Sequence, residues 1–170
     1  MPLAYIGLGS NLGDRWAHLR RGVAGLSREG VAPLALSSVW ESEPVGCSEP
    51  LWFLNMVAKC ASDLEPLELL AALQRIERAA GRARRALNEP RTLDLDLLLV
   101  GEIELDDPRL RLPHPRMWQR RFVLEPLAEI AAELRNPATG RTVAEERRLV
   151  SAAAAVRRLG PLAARDATPL

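Results

Sequence analysis

Asp94 and Asp96 stand two residues apart in an otherwise apolar run formed by Leu93, Leu95, Leu97, Leu98, Leu99 and Val100. Side chains at i and i+2 of a strand leave the same face. The run therefore predicts two carboxylates projecting together from a buried strand. Like charges so placed are unfavourable unless something offsets them. Ion pairs to neighbouring arginines would do so, as would a bound cation, and the cation is the expectation. Oxygen donors without His or Cys nearby suit Mg²⁺ rather than Zn²⁺.

Arginines flank that run on both sides. Arg82, Arg84, Arg85 and Arg91 precede it, and Arg109, Arg111, Arg116, Arg120 and Arg121 follow. Planar guanidinium groups take phosphate oxygens through paired hydrogen bonds. In a chain whose only lysine is Lys59, many arginines are simply solvated surface. Their position beside two aspartates is what suggests a polyphosphate site. His114, held between Pro113 and Pro115, has a stiff backbone and could donate to phosphate or cap a loop carbonyl. His18 reads as surface. Phe53 and Phe122 are the only phenylalanines, and Asn55 shares a strand face with Phe53. Core packing is the ordinary use of such rings, but an aromatic and an amide on one face suit a flat heterocycle with edge donors and acceptors.

Positioning these groups falls to a short series of elements. Leu3 to Gly9 predicts a buried strand, and the Gly7-Leu8-Gly9-Ser10-Asn11-Leu12-Gly13 run reads as a tight strand-to-helix turn. It lacks the Gly-Lys-Ser/Thr of a Walker A loop. Asp14 caps a helix over Arg15 to Arg28, on which Trp16, Leu19, Val23 and Leu26 recur at helical spacing. Leu34 to Glu41 and Phe53 to Ala61 predict strands, separated by a Pro- and Gly-bearing loop from Glu43 to Leu51. Leu67 to Ala80 is the clearest amphipathic helix, ended by Gly81. After the Arg82 to Arg91 loop come a strand from Leu93 to Val100, a loop over Leu112 to Arg116, and a helix from about Arg120 to Leu134. The Ala- and Arg-rich remainder from Val143 predicts a last helix to about Leu159 and a loose tail.

The order β-α-β-β-α-β predicts an α+β fold of ferredoxin-like pattern with an antiparallel sheet and a C-terminal helical extension. At 170 residues, 48% hydrophobic and 26% charged, the chain suits a single domain over residues 1–170. A net charge of +1 gives no footprint for nucleic acid. Cys47 and Cys60 lack metal spacing and form no disulfide framework. No leader-like segment and no membrane-length apolar stretch is seen. The expectation is a cytoplasmic monomer that binds neither membrane nor nucleic acid.

The motifs taken together resemble the 6-hydroxymethyl-7,8-dihydropterin pyrophosphokinase family. They are Tyr5-Ile6-Gly7-Leu8-Gly9-Ser10-Asn11-Leu12-Gly13, Phe53-Leu54-Asn55, Gln74-Arg75-Ile76-Glu77, Gly81-Arg82-Ala83-Arg84, Pro90-Arg91-Thr92-Leu93-Asp94-Leu95-Asp96 and Leu112-Pro113-His114-Pro115. They cover about residues 3 to 140 in order. The resemblance implies transfer of pyrophosphate from ATP to a pterin hydroxymethyl group, leaving AMP, in folate biosynthesis. By that resemblance Asp94 and Asp96 hold two Mg²⁺, and Gln74, Glu77, Arg84, Arg109, Arg111, His114 and Arg120 contact ATP. Arg82 and Arg91 close over the reacting phosphates. Phe53 and Phe122 sandwich the pterin, while Asn55 and the Ser42, Pro44, Val45 and Gly46 stretch read its edge. Many members have Trp-Gly before the Pro-Arg pair, where this chain has Asn88-Glu89-Pro90.

Two other readings use the same features. One is a different Mg²⁺-dependent nucleotide phosphohydrolase, marked by ATP turnover without a pterin. The other is a ferredoxin-like RNA-binding module, which needs exposed strand aromatics on a basic surface. The aspartate pair argues against the second.

Overall fold

The computed structural model describes residues 1–44, 51–81 and 92–165. In chain order the elements are β1 (Leu3–Ser10), α1 (Arg15–Arg28), β2 (Ala32–Leu36), β3 (Val39–Ser42), β4 (Phe53–Ala61), α2 (Pro66–Ala79), β5 (Asp94–Val100), β6 (Leu105–Asp107), β7 (Leu110–Leu112), α3 (Arg121–Ala131), α4 (Val143–Leu149) and β8 (Val156–Gly160). The fold is ferredoxin-like α+β. Five strands of the larger antiparallel sheet run β5-β1-β4-β3-β8, and β2 pairs with the far half of β4.

Strand periodicity sorts the core onto two faces. Ala4, Ile6, Leu8, Leu54, Met56, Ala58, Cys60, Leu95 and Leu97 pack with α1 and α2 residues such as Leu19, Leu26, Leu69 and Leu73. Tyr5, Val57, Leu98 and Leu99 pack on the other face with Val123, Leu124 and Leu127 of α3 and Val143 of α4. The switch from Leu97 to the adjacent pair Leu98 and Leu99 is a β-bulge. Tyr5 lies opposite Leu99 and Ile6 opposite Leu97, which leaves Leu98 as the extra residue.

Helix α1 lies close to its neighbours because it offers glycine at Gly22 and Gly25. A Cβ at Gly22 would stand 3.0 Å from Leu8 Cδ2, and one at Gly25 would stand 2.7 Å from Ile76 Cγ2 of α2. Asp14 caps α1 by accepting from the Ala17 amide. Glu65 and Glu68 form a reciprocal capping box at the start of α2, with Pro66 at its first position.

The sequence reading is corrected in four places. The expected strand over Leu34 to Glu41 is two strands, β2 and β3. At the break the Ser37 amide still donates to the Val57 carbonyl at 2.9 Å, but the Val57 amide donates to the Ser37 hydroxyl, which in turn donates to the Ser38 carbonyl, so a side chain takes one half of the pair. A hairpin of β6 and β7 was not anticipated. Its turn is closed by Asp107, whose carboxylate accepts from the Arg109 amide. Helix α3 is shorter than the expected Arg120 to Leu134. The last helix stops at Leu149 rather than continuing to Leu159, and Val156–Gly160 forms a strand beside β3. The Ser151 hydroxyl accepts from the Ala153 amide just past the helix end. Pairing with β3 then outweighs the helix preference of the alanines.

The close approach at Gly25 has a measurable consequence. Gly25→Val forces a side chain into Ile76 and should destabilise the fold by about 1–3 kcal/mol. Thermal denaturation should show a Tm lower by several degrees, at roughly 2–4 °C per kcal/mol. An unchanged Tm would mean that α1 and α2 do not depend on this contact.

Candidate active site

Residues opposite one another in an antiparallel ladder share a face. One row crosses the whole sheet: Asp94 of β5, Gly9 of β1, Asn55 of β4, Trp40 of β3 and Arg158 of β8. The next position on β5, Asp96, stands opposite Gly7, and Phe53 of β4 stands opposite Ser42 of β3. All of these lie on the face that α3 covers further along. The two aspartates therefore do project together, and Phe53 and Asn55 do share their face.

Between the carboxylates and the amide stand two glycines. Gly7 and Gly9 lie inside β1, as expected of the strand over Leu3 to Gly9, although the run they open was also read as a turn. The turn follows at Asn11 to Asp14, where Gly13 has φ +69°. A Cβ on Gly9 would come within 3.4 Å of Asn55 Oδ1 and 3.8 Å of Phe53 Cδ1. Glycine at alternate positions of β1 thus puts no side chain of its own between β5 and β4, and the Leu98 side chain lies against Gly7, with Cδ1 3.7 Å from where a Cβ would stand. With about 4.8 Å between strands, Asp94 and Asn55 stand on the order of 10 Å apart. The alternation of Gly7 and Gly9 with apolar Ile6 and Leu8 was the available signal for this arrangement.

The acidic end is well surrounded. Asp96 Oδ2 lies 4.0 Å from Arg120 Nη1, and the Arg120 guanidinium lies 5.5 Å from the centre of the Phe122 ring. Phe122 opens α3 and packs against the second core cluster. His114 is placed by the bulge in β5: its amide donates to the carbonyl of the extra residue, Leu98, at 2.8 Å. Its Nδ1 accepts from the Arg116 amide at 3.2 Å. That puts the proton of the neutral ring on Nε2. Burial, then the positive charges of Arg120 and Arg116, hold the imidazole pKa below its ordinary value, and Asp94 opposes them only in part. His114 thus offers a neutral N–H donor near Asp94. Among the described residues no third His, Cys, Asp or Glu joins the aspartates in a metal-ligating group. A hard cation there would complete its shell with phosphate oxygens and water, which is how Mg²⁺ is usually bound.

Glu77 is buried, and its Oε1 accepts from the Leu95 amide at 2.7 Å. It supports β5 between the two aspartates, on the sheet's edge, where a ladder partner is missing. Gln74 is exposed one turn earlier on α2. Arg109 and Arg111 are exposed on the small hairpin and pair with Asp107 and Asp106. The Arg109 partner carries a carboxyl pKa lowered to about 2, chiefly by that hydrogen bond. On the amide side, Asn55 Nδ2 donates to the buried Ser42 Oγ at 2.6 Å, which leaves the Oδ1 end toward Gly9. Pro44 follows at the end of this edge. Val45, Gly46, Arg82, Arg84 and Arg91 lie outside the described residues.

One face of the sheet thus carries carboxylates, a guanidinium and an imidazole toward β5, and an aromatic and an amide toward β4 and β3, on an α+β fold. Comparison with known proteins shows the family. The chain belongs to the 7,8-dihydro-6-hydroxymethylpterin-pyrophosphokinase (HPPK) family, whose model matches residues 5–132. It is 43% identical over 145 residues to a 2-amino-4-hydroxy-6-hydroxymethyldihydropteridine pyrophosphokinase of Bacillus subtilis, covering 85% of this chain and 87% of that one. It is 45% identical over 134 residues to the Pseudomonas aeruginosa protein of the same name, covering 78% and 83%. A Plasmodium falciparum HPPK-DHPS structure with SDX-DHP superposes with a TM-score of 0.69 at 12% identity. The match covers 87% of this chain and spans 44% of that longer one, so it supports the fold alone.

The environment of His114 predicts a titration. In metal-free protein, NMR should give His114 a pKa below the ordinary 6.5, and Arg120→Ala should raise it. Because the folded pKa is depressed, the unfolded chain binds more protons as pH falls below that ordinary value, so stability should decline there. A His114 pKa at or above 6.5 would contradict the arrangement.

Proposed function

We propose that this protein transfers the terminal pyrophosphoryl group of ATP to the hydroxymethyl group of 6-hydroxymethyl-7,8-dihydropterin, giving AMP and the pterin diphosphate for folate synthesis. The observation that carries the reading is the sheet row itself. Family membership supplies the two substrates, and the row offers each a matching end: Asp94 for the triphosphate and Asn55 for the heterocycle, with Gly9 between. We also read residues 1–170 as one domain and the protein as a monomer.

In the reaction the pterin hydroxyl oxygen attacks the β-phosphorus in line. The new bond is O–Pβ, the bond from Pβ to the α,β-bridging oxygen breaks, and AMP leaves with that electron pair. The hydroxyl proton passes to solvent, since no described side chain is placed as its base. Asp94 and Asp96 would hold two Mg²⁺, which when bound neutralise charge along the triphosphate. Arg120 and His114, through Nε2–H, stabilise phosphate oxygens, and Arg109, Arg111, Arg84, Gln74 and Glu77 complete the nucleotide side. Glu77 does so from beneath β5. Arg82 and Arg91 close over the reacting phosphates. Phe53 and Phe122 take the two faces of the pterin, while Asn55, Ser42, Pro44, Val45 and Gly46 read its edge. Catalysis then rests on alignment and charge stabilisation.

Incubation with ATP, Mg²⁺ and the hydroxymethyl dihydropterin should yield AMP and pterin diphosphate. ATP turnover that ignores the pterin would favour a phosphohydrolase instead. Asp94→Asn or Asp96→Asn should abolish most turnover while Tm holds or rises, because removing one of two like charges relieves repulsion. Near wild-type turnover in either variant would overturn the metal assignment. Phe122→Ala should weaken pterin binding by roughly ten- to a hundredfold, by analogy with stacking worth about 1–3 kcal/mol. ATP affinity should barely change. A large fall in Tm with parallel loss of both ligands would make Phe122 a core residue.

A further inference from the structure

Strand β8 lies beyond the residues that the family model matches, which end at 132. It is nonetheless laid against the stretch of β3 that backs the pterin end of the site. β3 pairs with β4 at only Trp40–Asn55, Glu41–Leu54 and Ser42–Phe53. On its other edge the same residues meet Arg158, Arg157 and Val156. The contact continues one residue further: the Glu43 amide donates to the Ala155 carbonyl, and the Ala155 amide donates to the Glu43 carboxylate, both at 3.0 Å. Without β8, β3 would be a four-residue edge strand ending at Ser42.

Two successive arginines of β8 reach opposite faces of the sheet, as strand alternation requires. Arg157 reaches Glu41, a buried carboxylate on the α1 face, with Nη2 at 2.6 Å and Nε at 3.0 Å from Oε2. Arg15, in the first turn of α1, reaches the other oxygen at 3.1 Å, and the same Nη1 donates to the Trp52 carbonyl at 2.8 Å. The Arg157 guanidinium also stands 5.8 Å from the Trp52 ring centre. Glu41 and Trp52 thereby join β3, β8, α1 and the residue just before Phe53. On the other face Arg158 reaches Glu129 of α3 at 3.5 Å, and the same carboxylate accepts from the Trp40 indole N–H.

We propose that β8 is a clasp that positions the pterin end of the site, with Arg157 as its principal positioning residue. This rests on the assignment of Phe53, Asn55 and Ser42 to the pterin. Arg157 lies on the α1 face, opposite to that of Phe53 and Asn55, beside an open pocket that it lines with Arg15, Glu41 and Trp52. It acts through Glu41 and Trp52, which flank Ser42 and Phe53 in the chain. Among the described residues, β5 and β8 stand at opposite edges of the sheet, with β1, β4 and β3 between them, so the two ligands should respond differently.

The test uses the full-length protein. Pterin affinity is measured in the presence of a non-hydrolysable ATP analogue, and affinity for that analogue alone is measured separately. Arg157→Ala should weaken pterin binding by about three- to tenfold, below the hundredfold that misplacement can reach, with analogue affinity unchanged. Arg157→Lys, which keeps a cation on a long stem, should recover part of the loss. If Arg157→Ala leaves pterin affinity unchanged, or weakens both ligands equally, the clasp is overturned. Should Arg157→Ala fail to fold, Arg157→Lys decides by the same split, since it loses the paired geometry. Phe53→Ala is the control on the underlying assignment. If it leaves pterin affinity intact, the pterin reading falls and the clasp with it. If it weakens pterin binding while Arg157→Ala does not, only the clasp falls.

Discussion

The antiparallel pairing of β1 with both β4 and β5 is the constraint on which the other features depend. It sets Gly9 between Asp94 and Asn55, and Gly7 between Asp96 and Val57. A one-residue slip on either side would turn the carboxylates or the amide onto the opposite, apolar face. Ile6 and Leu8 oppose such a slip because both are buried with Leu54, Met56 and Leu95 on the side covered by α1 and α2. The same alternation that builds the core therefore sets glycines on the opposite face. Gly22 and Gly25 contribute from behind by letting α1 settle closely against β1 and α2.

The bulge in β5 extends this logic to the electrostatics. An extra residue at Leu98 keeps two successive leucines on the α3 side and leaves a carbonyl that the ladder does not use. His114 takes it, and so the imidazole arrives near Asp94 with its Nδ1 occupied by the Arg116 amide. Glu77 performs a related service on the other side of the strand by accepting from the Leu95 amide. Two acidic side chains with local charge compensation, a neutral imidazole and a guanidinium are thus gathered by backbone hydrogen bonds. Such fixed donors need little reorganisation when charge develops on a ligand.

The amide end is built differently. Asn55 is oriented by Ser42, and the segment around them is flanked on two edges and two faces by β4, β8, α1 and α3. Glu41 is the point where β3, β8 and α1 meet. Desolvation opposes its charge, but hydrogen bonds from Arg157 and Arg15 outweigh it and keep its pKa low. A buried carboxylate with two guanidinium partners is a directional tie. An apolar contact at the same place would fix burial without fixing angle.

What the sequence determined by itself was the local pattern and its chemistry. The Asp94/Asp96 spacing, the Phe53/Asn55 face, the Asp14 cap and the bounds of α1 and β4 follow from periods of two and of about 3.6 residues, and the structure has them. The motifs also sufficed to suggest the family, because their order along the chain is specific. Tertiary structure decided what depends on partners distant in the chain. Ser37 breaks a strand because Val57 is opposite it. Gly7 and Gly9, already expected in a strand, come to separate Asp94 and Asp96 from β4 because strands lie on both sides of them. Val156–Gly160 becomes a strand because β3 has an open edge, although its approach is rich in alanine. Glu77 faces a strand amide, and His114 finds a bulge carbonyl. Local propensities amount to a few tenths of a kcal/mol up to about 1 kcal/mol per residue. Pairing along an open edge and burial against a far segment can exceed them, and neither is written in the neighbouring residues.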